Sequence, residues 1–158
     1  MITIENDDAL RAALTQLDAA DQRRLAALFV EDVLEYTDDT RIRHALSVVM
    51  RPNASEEELK AAHRTARAAA LEAHARCGAD CDWSDQSPYF VARAAEAATG
   101  KNAKGKRSTL AWLVAMQCRM ATCCEASETD PESEDNTCSA QRRIAAEFIN
   151  SRKDNSNE

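Results

Sequence analysis

Glycine and proline are scarce in this sequence, with three of each in 158 residues, and aromatic residues make up only 4% of it. So few turn-forming residues leave little room for the many short strands of an all-β fold. Alanine instead dominates the apolar residues, and alanine has the highest intrinsic helix propensity. The composition therefore predicts an all-α protein, and the length suffices for one domain with a buried core.

Long apolar runs are also missing. No stretch approaches the roughly 20 residues that cross a bilayer, and residues 1–8 are acidic where a secretory signal would be basic and then apolar. These absences favour a cytoplasmic protein that does not bind membranes, with its six cysteines mostly reduced. The formal net charge is −7, with acidic ends around a basic middle. This balance argues against nucleic acid as the main ligand, because phosphate binding needs a basic surface.

Apolar residues recur at helical spacing along most of the chain. The pattern predicts a single-domain bundle of six to seven helices over residues 1–152, followed by a disordered tail over 153–158. The predicted helices are 7–17, 19–36, 40–50, 56–76, 88–99, 109–125 and 137–151. Helix 109–125 is apolar on most sides, which predicts that it lies at the centre of the bundle.

The fourth predicted helix has the clearest start and the smallest inward residues. Ser55 and Glu58 form the spacing of a capping box. The inward stripe that follows alternates steps of four and three residues: Leu59, His63, Ala66, Ala70, Ala73 and Cys77. Side chains this small predict close approach of a neighbouring helix.

Histidines and cysteines are the first candidates for chemistry. His74, Cys77 and Cys81 are close enough in sequence to be considered as metal ligands, but the chain has no Cys-x-x-Cys pair of the kind that structural zinc sites use. Burial of the cysteines as small apolar residues is the favoured interpretation, and no cofactor or catalytic residue is predicted. An enzymatic or small-molecule-binding alternative would use His63, His74 and Cys77 together.

Two further segments are candidates for binding a partner. Asp38 and Asp39 either cap the third helix, the favoured interpretation, or form a recognition surface. Trp83 and Tyr89 lie at the junction of a loop with the fifth helix. Aromatic residues in such a place either fix the loop to the core or anchor a partner beside a pocket.

Three stretches together resemble a family of alanine-rich helical immunity proteins encoded beside bacterial polymorphic toxins. The first is Val33-Leu34 followed by Asp38-Asp39-Thr40-Arg41-Ile42-Arg43-His44-Ala45-Leu46. The others are two alanine-rich helical segments, from Ala61-Ala62-His63-Arg64 to Ala73-His74-Ala75 and Phe90-Val91-Ala92-Arg93-Ala94-Ala95. The resemblance covers about residues 33–99. It implies a bacterial protein that binds and neutralises a toxin and has no catalytic activity.

The leading functional prediction is therefore a non-enzymatic protein-binding domain, with a toxin-like protein as the partner that the resemblance implies. An acidic protein suits a basic partner, because complementary charge speeds encounter. Two alternatives stay open beside it. One is the helical bundle that uses His63, His74 and Cys77, and the other is a small oligomeric structural or regulatory protein with an exposed apolar patch.

Overall fold

A computed structural model of the protein describes residues 1–77, 83–101, 108–125 and 132–155, with side chains omitted at 83–85 and 134. In this part of the chain the fold is all-helical and comprises seven α-helices and one short 3-10 helix. They are α1 (Asp7–Thr15), α2 (Ala19–Glu31), the 3-10 helix (Leu34–Tyr36), α3 (Thr40–Met50), α4 (Glu56–Cys77), α5 (Trp83–Thr99), α6 (Leu110–Glu125) and α7 (Ser133–Asn155). The predicted all-α bundle of six to seven helices is confirmed.

The helix starts follow the predicted caps. Asn6, Asp18 and Asp39 each accept a hydrogen bond from a backbone N–H in the first turn of α1, α2 and α3. At α4, the Ser55 hydroxyl accepts from the Glu58 N–H at 3.1 Å while the Glu58 carboxylate accepts from the Ser55 N–H at 2.8 Å. These bonds satisfy amides that have no partner within the helix, which fixes where each helix begins.

The bounds of three helices differ from the prediction by four residues or more. Helix α2 ends at Glu31 rather than at residue 36, and residues 34–36 form the separate 3-10 helix. Helix α5 begins at Trp83, so Pro88 lies inside it rather than at its first position. Pro88 is the sixth residue of α5 and has no N–H to donate to the carbonyl four residues earlier, so the helical ladder lacks this one bond. Helix α7 begins at Ser133 and ends at Asn155, which makes residues 153–155 helical instead of part of a disordered tail; residues 156–158 lie outside the described part of the chain.

The helices pack around α5 and α6, which contact each other along their lengths. Helix α5 also contacts α2, α3 and α4, whereas α6 also contacts α1, α2 and α7. The centre predicted for α6 is therefore shared with α5. One side of α6 remains open, because Leu113 is 39% exposed and Met120 is 42% exposed.

Helix α4 lies against α5 and α3 through its alanines. The buried residues of α4 are all alanines, at positions 62, 66, 69, 70 and 73. Ala66, Ala70 and Ala73 belong to the predicted stripe. The other members of that stripe, Leu59, His63 and Cys77, are only partly buried. The small side chains let α4 and α5 approach closely, and this sets which residues of the two helices meet.

Buried amide side chains connect helices across the core. Gln22 of α2 is 2% exposed and donates through Nε2 to the Leu14 carbonyl at the end of α1. Its Oε1 accepts from the Ala111 N–H at the start of α6, at 3.0 Å. The Ala111 N–H has no partner within its own helix, while the Leu14 carbonyl also accepts from the Leu17 N–H at 3.2 Å. One side chain thus joins three helices.

Arg119 of α6 forms a second connection between helices. Its guanidinium donates to both carboxylate oxygens of Asp7, at 2.7 and 2.9 Å. The same side chain donates to Oε1 of the buried Gln141 on α7 at 2.8 Å. Helices α1, α6 and α7 are thereby tied together beside the core.

The segment before α1 is fixed against α7. Asn150 accepts from the Ile2 N–H at 2.8 Å and donates to the Ile2 carbonyl at 3.0 Å. Arg142 donates to the Glu5 carbonyl at 3.0 Å. These bonds hold an extended segment with no helical ladder of its own, and they bring the first residues next to the last helix.

Candidate functional site

An open groove of about 720 Å³ lies where the connection before α3 meets the end of α4 and the first turns of α5. We call it the Asp38 groove. Its charged and reactive lining residues are Asp38, Asp39, Arg41, Arg76 and Cys77, and Pro88 of α5 also lines it. The groove therefore combines residues from three segments that are distant in sequence.

Within the groove, Asp39 serves the fold. It caps α3, and Arg41 donates to it at 2.7 Å and to Glu72 of α4 at 2.6 Å. The hydrogen bond from Arg41 lowers the pKa of Asp39 below its usual range. Because the Arg41 guanidinium lies between two carboxylates, little of its positive charge is left to the groove.

Asp38 differs from its neighbour. Its side chain is exposed, and no hydrogen bond or ion pair joins it to another residue in the described ranges. A carboxylate in water beside a groove can pair with a cation of a partner without first breaking an internal bond. Of the two predicted acidic residues, Asp38 is therefore the one open to a partner.

An aromatic residue follows directly after Pro88. The Tyr89 ring lies 5.3 Å from the His74 ring and 5.2 Å from the Phe90 ring, between centroids. The Arg93 guanidinium lies 6.0 Å from the Tyr89 centroid. Tyr89 is partly buried by these contacts and is held in place beside the groove. Asp38 and Tyr89 are thus at the same end of the bundle, while the Trp83 side chain lies outside the described residues.

Further acidic residues surround Tyr36, in the 3-10 helix that precedes Asp38. Burial raises the pKa of the Tyr36 phenol, and the charges of Glu35, Glu125 and Asp32 raise it further. The pKa of Asp32 is also raised, mainly by burial and in part by Glu35, against an opposing effect of Arg143. Three carboxylates therefore lie close enough to the Tyr36 phenol to act on it electrostatically.

The histidines and cysteines of the enzymatic alternative do not gather at this groove. His63 precedes His74 by 11 residues on one helix, which separates them by about 16 Å along the axis. Cys77 lines the Asp38 groove, but His74 packs on Tyr89 and His63 contacts the other end of α5. No group of three or more possible metal ligands occurs among the described residues, and Cys81 lies outside them.

Two of the three cysteines of α6 agree with the packing interpretation, whereas the third, Cys123, is exposed and contradicts it. Cys118 and Cys124 are buried, and burial raises the pKa of both thiols. A thiol with a raised pKa carries little thiolate at neutral pH, so it is a poor nucleophile.

A second groove, of about 600 Å³, was not foreseen from the sequence. It is lined by residues from α2, α4 and the end of α5, among them Arg23, His63, Arg64 and Lys101. These bases are spread over some 80 positions of the chain, and only the alignment of α4 against α5 brings them together. No local sequence signal marks them as a group.

Comparisons with known proteins identify no relative of this chain. No family model, curated protein or solved structure matches this chain.

Proposed function

We propose that this protein acts by binding another protein, without catalysis, and that the Asp38 groove is its binding face. The observation that carries this proposal is that Asp38 and Asp39 meet, at one groove, with Pro88, the residue directly before Tyr89. Asp38 supplies an exposed charge, and Tyr89 supplies an aromatic side chain already fixed by its neighbours. Tyrosine is among the residues that most often dominate binding energy at protein interfaces.

Charge favours a basic partner. Asp32, Glu35 and Asp38 precede α3 at intervals of three residues, and Glu35 acts electrostatically on Asp32. Against these acids, the groove lining contains Arg76 as a base beside the paired Arg41. A surface of this sign attracts a positively charged protein and raises the association rate at low salt. The resemblance of residues 33–99 to immunity proteins suits this chemistry, because it suggests a toxin as the protein that is bound and neutralised.

The groove has poor support as a catalytic site. General acid–base catalysis needs a titratable group within hydrogen-bond reach of a reacting atom. Asp39 is occupied by Arg41 and by its capping role. The described lining of the groove contains the Cys77 thiol but no histidine to activate it.

The test uses the protein encoded by the reading frame next to this gene, purified in an inactive form. We expect a stable complex by titration calorimetry, with affinity that falls as salt is raised. Tyr89→Ala should weaken binding by about tenfold or more and Asp38→Ala by severalfold. Glu147→Ala is the matched control, because Glu147 is an exposed acid on α7 that pairs with Arg143.

Unchanged affinity in both groove variants, with native circular dichroism, would move the binding face elsewhere. Absence of any complex would count against the immunity-like role itself.

The oligomeric alternative has one supporting feature. Leu113 and Met120 are exposed on α6 seven residues apart, so they share a face of that helix. A dimer through this face should dissociate on Met120→Glu, as measured by sedimentation velocity. A wild-type protein that sediments as a monomer at all concentrations would remove this alternative.

A further inference from the structure

The second groove lies between the start of α4 and the end of α5, and we call it the His63 groove. Four bases line it, Arg23, Lys60, Arg64 and Lys101, against one acid, Glu56. This excess of positive charge occurs on a chain whose formal net charge is −7. The groove is therefore electrostatically opposite to most of the protein.

The acid does not neutralise all four bases. Glu56 accepts from Lys101 at 2.9 Å and lies 3.6 Å from Lys60, which is also 3.9 Å from the exposed Glu57. These two carboxylates thus serve the two lysines. Arg23 and Arg64 form no ion pair or hydrogen bond through their side chains with any residue in the described ranges. Two guanidinium groups thus border the groove with their donors left for water or a ligand. A guanidinium binds a carboxylate or a phosphate through two parallel hydrogen bonds.

The inner end of the groove is fixed by His63. Its Nδ1 lies 2.9 Å from the Glu96 carbonyl oxygen and 3.2 Å from the Thr99 hydroxyl. A carbonyl oxygen only accepts, so Nδ1 carries a hydrogen and the ring is held in one orientation. Nε2 has no hydrogen-bond partner among the described residues.

The groove also has an apolar side. Leu59 and Gly100 line it beside the His63 ring. A Cβ at position 100 would lie 3.6 Å from Cε1 of His63 and 3.3 Å from the Ala97 carbonyl oxygen, so the glycine leaves space at this point. An apolar ligand group can occupy that space and remove the Leu59 side chain from water.

We propose that the His63 groove binds a small organic anion, with its oxyanion held by Arg23 and Arg64 and its apolar body against Leu59 and Gly100. The oxyanion is a carboxylate or a phosphate, since a guanidinium binds both in the same way. The site is at the opposite end of α4 from the Asp38 groove. A negative result for anion binding therefore leaves the proposed protein binding unaffected, and the reverse also holds.

The experiment is an NMR titration of the ¹⁵N-labelled full chain with benzoate, phenyl phosphate and inorganic phosphate. We expect saturable shifts at the Gly100 amide and at the His63 ring, assigned with His63→Gln. At least one aromatic anion should bind more tightly than inorganic phosphate, because only the aromatic probes contact Leu59. Tighter binding of benzoate identifies a carboxylate ligand, and tighter binding of phenyl phosphate identifies a phosphate ligand.

Matched variants separate a built site from general charge attraction. Arg23→Gln and Arg64→Gln should each weaken the preferred probe by about tenfold, the effect expected for loss of one charge-assisted pair. Arg143→Gln removes an exposed arginine on α7, paired with Glu147 at 3.2 Å, and should leave the affinity unchanged. Circular dichroism verifies the fold of each variant.

Three results overturn the proposal. The first is the absence of saturable shifts with all three probes. The second is an equal loss of affinity in Arg143→Gln. The third is inorganic phosphate binding as tightly as both aromatic anions, which would show charge screening without a groove for the apolar body.

Discussion

Replacing Gln22 with methionine should destabilise the fold strongly, although the two side chains are nearly equal in size. The change removes the donor to the Leu14 carbonyl and the acceptor of the Ala111 N–H, and both backbone groups stay buried. The Leu14 carbonyl still accepts from the Leu17 N–H at 3.2 Å, so only the Ala111 N–H is left without a partner. A buried polar group without a partner costs about 1–3 kcal/mol, and loss of the other hydrogen bond adds about 1 kcal/mol. Methionine offsets part of this through apolar burial, so we expect a net loss of about 1–3 kcal/mol in the free energy of unfolding.

Urea denaturation followed by circular dichroism measures this loss, and thermal unfolding should show a fall in Tm on the order of 2–12 °C. Gln16→Met is the matched control, because Gln16 is exposed at the end of α1 and should change stability by less than about 0.5 kcal/mol. A loss for Gln22→Met no larger than that of the control would refute the idea that these two bonds hold α1, α2 and α6 together.

Three other predictions concern pH, packing and thiol reactivity. The hydrogen bond from Arg119 lowers the pKa of Asp7 below its ordinary value near 3.8, so its contribution is present above that value and is lost as the pH falls through the lowered pKa. Because Asp7 is 43% exposed, we expect Asp7→Asn to cost only about 1 kcal/mol at pH 7. The cost, measured by urea denaturation, should shrink as the pH is lowered towards about 2, and an equal cost at both pH values would contradict its ionic origin. Ala66→Leu should destabilise the fold by about 1–3 kcal/mol through overpacking against α5, whereas Ala68→Leu on the exposed side of α4 should be nearly neutral. Similar losses for the two variants would show that space remains between α4 and α5 at Ala66. Cys118 should react with Ellman's reagent only on unfolding, because it is fully buried and its pKa is raised, so rapid labelling of this residue in native protein would disprove its burial.

Helix formation was predictable wherever the signal is local. Capping residues such as Asp18 and Ser55 identified where helices begin because each bonds to the turn beside it. Pro88 misled the prediction, since proline is favoured at a first helical position but is tolerated one turn later when tertiary contacts continue the helix. Burial of the Ser87 hydroxyl on the Ala121 carbonyl, at 2.7 Å, supplies such a contact.

The grooves were less predictable than the helices. His63, His74 and Cys77 share a helix, which made them look like one group in the sequence. Their surroundings depend on which residues of α5 lie opposite, and the contact between His63 and the Glu96 carbonyl sets that alignment. Arg23 joins His63 only because α2 crosses at the same level, and no spacing within the sequence encodes such a crossing.

The reciprocal bonds between Ile2 and Asn150 have a mechanical consequence. If the chain is stretched by its two ends in an optical trap, force acts early on these two bonds, on the contact between Arg142 and the Glu5 carbonyl and, near the other end, on the ion pair between Arg152 and Asp21. The first rupture should therefore release the short extended segment before α1, and the helical core should yield only afterwards. Asn150→Ala should lower the force of that first event and leave the later one unchanged.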